Sequence, residues 1–149
     1  MEVKKILCAV DLEDTIAPSV EYAKMMASMT GASILVAYVI PAHTPYEDVY
    51  LSVNNQPNEV NNPNETIQKS INDLLAEQFA GMDATGVILV GRPSEELVKL
   101  AEEKGANLIV MGTHGRAGFD RLLFGSVAHE VVRAAPCPVM TVRPLMPKK

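Results

Sequence analysis

Apolar residues along this chain fall into five short, continuous runs, with polar stretches of helical period between them. The runs are residues 5–10 (KILCAV), 33–40 (SILVAYVI), 85–90 (TGVILV), 107–111 (NLIVM) and 138–142 (PVMTV). They do not alternate apolar with polar, so they read as strands buried on both faces, as in a parallel sheet covered by helices. Ile16, Val20, Ala23 and Ala27 recur at helical spacing, and Gly31 supplies a stop. Ile67, Ile71, Leu74 and Leu75 mark a second helix. A third is predicted over residues 93–104, with Leu97, Leu100 and Ala101 inward and Gly105 as its end. The last begins at Ser126, with Val127, Val131 and Ala134 on one side, and Pro136 closes it.

The resulting order is β-α-β-α-β-α-β-α-β. Such alternation predicts a single-domain α/β fold over residues 1–149: a three-layer, open, parallel five-stranded sheet with helices on both faces and right-handed crossovers. One segment breaks the rhythm. Residues 41–64 hold four prolines and six asparagines, which predicts a long surface loop. It is either a tolerated insertion or a lid or docking element.

Composition and charge remove several classes of function. A chain of 149 residues that is 48% hydrophobic can bury a sizeable core. A net charge of −5 disfavours broad nucleic-acid or anionic-membrane binding, so neither partner is expected. No apolar run is long enough to span a bilayer. The start, MEVKKILCAVDLED, imitates a signal peptide only faintly, because Asp11 ends the run and no small-residue cleavage site follows. The two cysteines, Cys8 and Cys137, make no disulfide framework, and no Cys/His cluster has zinc spacing. Cys8 is expected to be a buried apolar residue and Cys137 to be partly exposed. The expected location is cytoplasmic.

In an open α/β sheet, ligands bind beyond the carboxyl ends of the strands, where strand order reverses. Asp11 ends the first predicted strand, and Met111-Gly112 ends the fourth. From there the chain runs through MGTHGRAGFDRLLFGS (111–126) into the last helix. Gly112 and Gly115 permit close backbone approach to a ligand, or serve as plain turn residues. Gly125-Ser126 opens a helix whose first N–H groups lack intrahelical partners and can hold phosphate, while Ser126 adds a bond or is only an N-cap. Arg116 and Arg121 bring positive charge. Asp11 can accept bonds from a ribose hydroxyl or an amino group. The loop lacks the Lys-Ser/Thr ending of a Walker loop, and no dinucleotide fingerprint follows the first strand. A receiver-domain reading fails too, since Gly91-Arg92 and Arg143-Pro144 stand where it needs Asp and Lys.

These residues resemble the universal stress protein family. Gly112-x-x-Gly115, nine residues, then Gly125-Ser126, is similar to that family's G-2x-G-9x-G-(S/T) signature. Further matches are the stretch from Ile6 to Asp11, Gly91-Arg92-Pro93, the stretch from Asp120 to Val127, and Cys137-Pro138-Val139. The resemblance implies a Rossmann-like sheet in order 3-2-1-4-5. It also implies the branch that binds ATP, with or without Mg or Mn held through the phosphates. Position by position, it implies Ala9, Asp11 and Val39 at the adenine and ribose, and Met111 and Gly112 beside the ribose. Gly115, Gly125, Ser126 and Val127 would hold the phosphates, with Arg116 nearby. It implies a homodimer through the last strand, Val139 to Val142, and an uncovered apolar edge strand is physically suited to such pairing. Catalysis is less well provided for. Phosphoryl transfer needs an oriented nucleophile and charge stabilisation, and neither His114 nor Asp120 has a spacing that demands the role. Three readings stand: a nucleotide-binding regulatory protein with slow hydrolysis at most, an ATPase or phosphotransferase, and an interaction protein without nucleotide.

Overall fold

The computed structural model describes residues 2–12, 18–41, 63–113 and 126–143. Five strands, β1 (Lys5–Ala9), β2 (Ser33–Pro41), β3 (Ala84–Gly91), β4 (Leu108–Gly112) and β5 (Val139–Val142), form one sheet. Its order is β3-β2-β1-β4-β5, and every pairing is parallel. Among the described residues, four helices connect them: α1 (Pro18–Thr30), α2 (Pro63–Gln78), α3 (Pro93–Lys104) and α4 (Ser126–Ala134). The predicted α/β architecture and strand order are both present. Most of the predicted 41–64 loop lies outside the described residues. Its ends differ from expectation, because Pro41 closes β2 opposite Gly91, and Pro63 opens α2. Proline suits a helix start, where its missing N–H costs nothing.

The side-chain period of two divides the core into two layers. Ile6, Cys8, Ile34, Val36, Ile40, Leu108 and Val110 face one way and pack with Val20, Ala23 and Ala27 of α1 and Ile67, Ile71 and Leu74 of α2. Leu7, Leu35, Ala37, Ile109 and Met111 face the other way, against Leu97, Leu100 and Ala101 of α3 and Ala128 and Val131 of α4. Two helices therefore cover each face. The three central strands hold the buried positions that continuous apolar runs predict. The edge strands do not: β3 and β5 have no buried residue, and Val90 is 51% exposed. An edge strand keeps one flank open, so its apolar run is only half covered.

Local chemistry sets the element ends. Gly105 ends α3 in the left-handed conformation (φ 67°), and its N–H and that of Ala106 turn back onto the last carbonyls of the helix. Gly31 closes α1, its N–H donating to the Ala27 carbonyl at 2.8 Å. Asn107, predicted as the first residue of the fourth strand, instead ties that strand to β1. Its Oδ1 accepts from the Lys4 and Lys5 N–H groups at 2.8 and 3.0 Å, and its own N–H donates to the Lys5 carbonyl at 2.8 Å. In α4 the inward face is also displaced from expectation. Ala128 and Val131 are buried, Val127 is half-buried, and Ala134 is exposed. The buried pair is three residues apart, and half-buried Ala135 continues that stripe, whereas Ala134 faces away.

Candidate functional site

The sheet order locates a ligand crevice. From β1 the chain moves outward to β2 and β3, then returns across the sheet to place β4 on the opposite side of β1. Strand order therefore reverses between β1 and β4, and the crevice lies beyond their carboxyl ends.

The described site residues gather at that end. Ala9 closes β1 opposite Ala37, and the pairing continues one residue further, with the Val10 N–H donating to the Ala37 carbonyl at 2.9 Å. Asp11 follows, half-buried and already engaged in an interaction. Val39 lies near the end of β2, paired with Leu89. Ala9 and Val39 are half-buried and pack on the α3/α4 face, the same face as Met111. The Met111 side chain is only 4% exposed, so the core claims it and leaves its main chain for any other role. Gly112 ends β4 opposite Val142, and the Thr113 N–H then donates to the Val142 carbonyl at 3.1 Å.

Downstream, Ser126 is exposed at the first position of α4, and Val127 packs beside it on the α3/α4 face. The first N–H groups of such a helix have no intrahelical acceptors and form the positive end of its dipole. The structure thus puts Ala9, Val39, Met111 and Val127 on one face, and Asp11 and Gly112 on either side of the switch point. Gly115, Arg116 and Gly125 lie outside the described residues, as do His114, Asp120 and Arg121. These groups are chemically compatible with a nucleoside phosphate: small apolar side chains at the strand ends, an accepting carboxylate at Asp11, and the N–H donors of a helix N-terminus.

Two features were not anticipated from the sequence. Thr113 is a buried hydroxyl residue immediately after β4, 6% exposed. The other is a polar cluster between the two helices of this face. Ser94 Oγ, in the first turn of α3, donates to Glu130 Oε2 of α4, and Arg92 Nη2 donates to Glu130 Oε1 at 2.9 Å. Arg92 also pairs with Glu95 Oε1 at 3.4 Å. The bond from Ser94, and then the nearby positive charge of Arg92, hold the Glu130 carboxyl below its ordinary pKa. Residues 36 and 38 positions apart meet here, a separation that no local spacing rule detects.

The other titratable groups are less suited to chemistry. Burial pushes the Cys8 thiol up to about 12 and raises that of Cys137. Neither is a low-pKa nucleophile. Among the described residues, no three His, Cys, Asp or Glu side chains gather to hold a metal ion. No described helix is long and apolar enough to cross a membrane. A shallow cavity of about 180 Å³ lies at the opposite, amino end of the strands, lined by Lys5, Ser33, Ile34, Leu35, Thr85 and Lys104. Lys5 Nζ there already donates to the Lys104 carbonyl at 3.2 Å, and the topology places the ligand crevice at the other end.

Known proteins are similar to this chain in sequence and in arrangement. Among curated relatives, the universal stress protein MJ0531 of Methanocaldococcus jannaschii is 33% identical, over 98% of this chain and 84% of that protein. The universal stress protein MJ0577 of the same organism is 28% identical over 94% of each chain. The solved structure of MJ0577 superimposes with a TM-score of 0.75 at 29% identity, covering 99% of this chain and all of that one. A universal stress protein from Archaeoglobus fulgidus, solved in complex with dAMP, gives a TM-score of 0.60 at 25% identity, over 95% of this chain and 98% of that one. The model of the family described as "Universal stress protein family" matches residues 2–143, and the chain belongs to that family.

Proposed function

We propose that the protein is an adenine-nucleotide-binding regulatory protein of the stress response, and that it holds ATP at the β1/β4 switch point with slow hydrolysis at most. The observation that carries this reading is a juxtaposition. Asp11 and Gly112 flank the switch point, and the glycine-spaced segment 112–126 leads directly into the N-terminus of α4. The dAMP complex of the Archaeoglobus fulgidus protein supports an adenine nucleotide as the ligand class.

In this reading Ala9, Asp11 and Val39 line the adenine and ribose, Val39 through its backbone, with Asp11 accepting from a ribose hydroxyl or an amino group. Met111 and Gly112 pass beside the ribose by their main chain. Gly115, Gly125, Ser126 and Val127 hold the phosphates, with Arg116 adding charge and any Mg or Mn carried by the phosphates themselves. The sequence offers no Walker lysine, which favours holding over turnover. Dimerisation through β5 fits its place at the sheet edge, with half-buried Val139, Met140 and Val142 along it. Two free cysteines suit a cytoplasmic location.

The test is to purify the protein without added nucleotide, denature it, and identify what is released by chromatography and mass spectrometry. ATP is the expected product. Release of nothing, together with no thermal shift on adding ATP, ADP or AMP, would overturn the reading.

A further inference from the structure

We propose that Glu130, Ser94 and Arg92 form a brace that sets the position of the first turn of α4, and that affinity for the phosphates of a nucleotide depends on it. The affinity part rests on the function proposed above, while the positional part does not. All three are positioning residues, since they act on the phosphate site only through the helix.

The helix needs such a device. With nine residues, α4 is too short to be stable by itself. Ala128 and Val131 are buried along it and Val127 is half-buried beside them, and a few small apolar contacts set its depth on the sheet better than its rotation or axial position. Glu130 stands about one helical turn, roughly 5.4 Å, beyond Ser126. Both of its carboxylate oxygens are engaged, one by Ser94 and the other by Arg92.

The far side of the brace is firmly held. Leu97, Leu100 and Ala101 bury α3, Pro93 starts it, and the Glu96 N–H closes its first turn on the Arg92 carbonyl at 2.9 Å. The Ser94 hydroxyl residue is itself only 4% exposed. An exposed ion pair of Glu130 with Arg92 alone would contribute little. A carboxylate held at both oxygens, one of them by a buried hydroxyl, is a directional contact with a fixed geometry. The bond from Ser94 and the charge of Arg92 lower the Glu130 pKa, as expected where both contacts favour the ionised carboxylate.

The experiment compares wild type with Glu130→Ala, Ser94→Ala and the exposed Arg92→Ala, using ATP and adenosine as probes and amide hydrogen exchange without ligand. The expected result is ATP binding weakened about three- to tenfold in Glu130→Ala and Ser94→Ala, with adenosine binding unchanged. Amides 130–133, the ones bonded within the helix, should exchange faster, while α1 and α2 keep wild-type rates. General destabilisation would instead weaken ATP and adenosine together and speed exchange everywhere, and that outcome overturns the proposal. So does a set of folded variants with wild-type ATP affinity and wild-type exchange in α4. If wild type binds neither probe, the proposed function fails, and exchange in α4 alone decides the brace.

Discussion

Gly86, in the middle of β3, lies directly beneath Ile71 and Leu75 of α2. A Cβ added there would fall well inside contact distance of Ile71 Cγ2, below the 3.0 Å that real Cβ atoms keep, and 3.3 Å from Leu75 Cδ1. Ile71 is fully buried, and Cγ2 branches directly from its Cβ, so it can clear the new methyl only by leaving the χ1 rotamer that a helix favours or by shifting α2. Gly86→Ala should therefore force α2 off an edge strand, with the overpacking cost of about 1–3 kcal/mol typical of a filled core. For a chain of this size, about 2 kcal/mol corresponds to a Tm lowered by roughly 4–8 °C. Thermal unfolding followed by circular dichroism measures it. A second variant tests the cause. Ile71→Val retains Cγ2 and should give no relief, whereas in Gly86→Ala with Ile71→Ala the new methyl occupies part of the space vacated. The double variant should then lose less than the sum of its single losses, and additive losses or a Gly86→Ala protein as stable as wild type would refute the reasoning.

Other expectations follow from titratable groups. Neighbours hold the Glu130 carboxyl below its ordinary 4.5, so its proton leaves the folded protein more readily than the unfolded chain. Its contribution to stability is complete above about pH 4.5 and is lost as pH falls through the lowered folded value. Glu130→Gln should flatten that part of the acid unfolding curve, and an unchanged curve would count against the brace. Cys8, fully buried with its thiol pushed up to about 12, should resist alkylation at pH 8 in the native state and react only on unfolding, whereas half-buried Cys137 reacts slowly without it. Peptide mapping after timed labelling distinguishes the two, and native labelling of Cys8 would show that the β1 core opens readily.

The sheet was legible because its signal is redundant. Five apolar runs, each separated by a helical pattern, leave few arrangements once crossovers are right-handed. The strand order itself came with the family resemblance and not from periodicity. Edge exposure was hidden: the runs in β3 and β5 look like those of β1, and only the pairing order shows which strands have one neighbour. The rotation of α4 was also misread at Ala134, because alanine carries too little apolar signal to separate two adjacent stripes on a short helix. Part of the site was legible for a different reason. Asp11 and Gly112 end apolar runs, and a topological rule assigns meaning to such ends before any coordinates exist. The brace was not legible, since Ser94 and Arg92 meet Glu130 only through the packing of α3 against α4. The adjacent Glu95 and Glu96 are equally plausible surface carboxylates in the sequence.

The central claim, that the N-terminus of α4 holds the phosphates of an adenine nucleotide, is tested most directly at Ser126, exposed in the first turn. In Ser126→Asp the new carboxylate faces a helix dipole that favours it, so stability should hold or rise by a few tenths of a kcal/mol. The same charge repels a phosphate bound there. Calorimetric titration with ATP should show saturable binding by wild type and affinity reduced by about tenfold or more in Ser126→Asp, at an undiminished Tm. Wild-type affinity for ATP in Ser126→Asp would place the phosphates elsewhere and contradict the account.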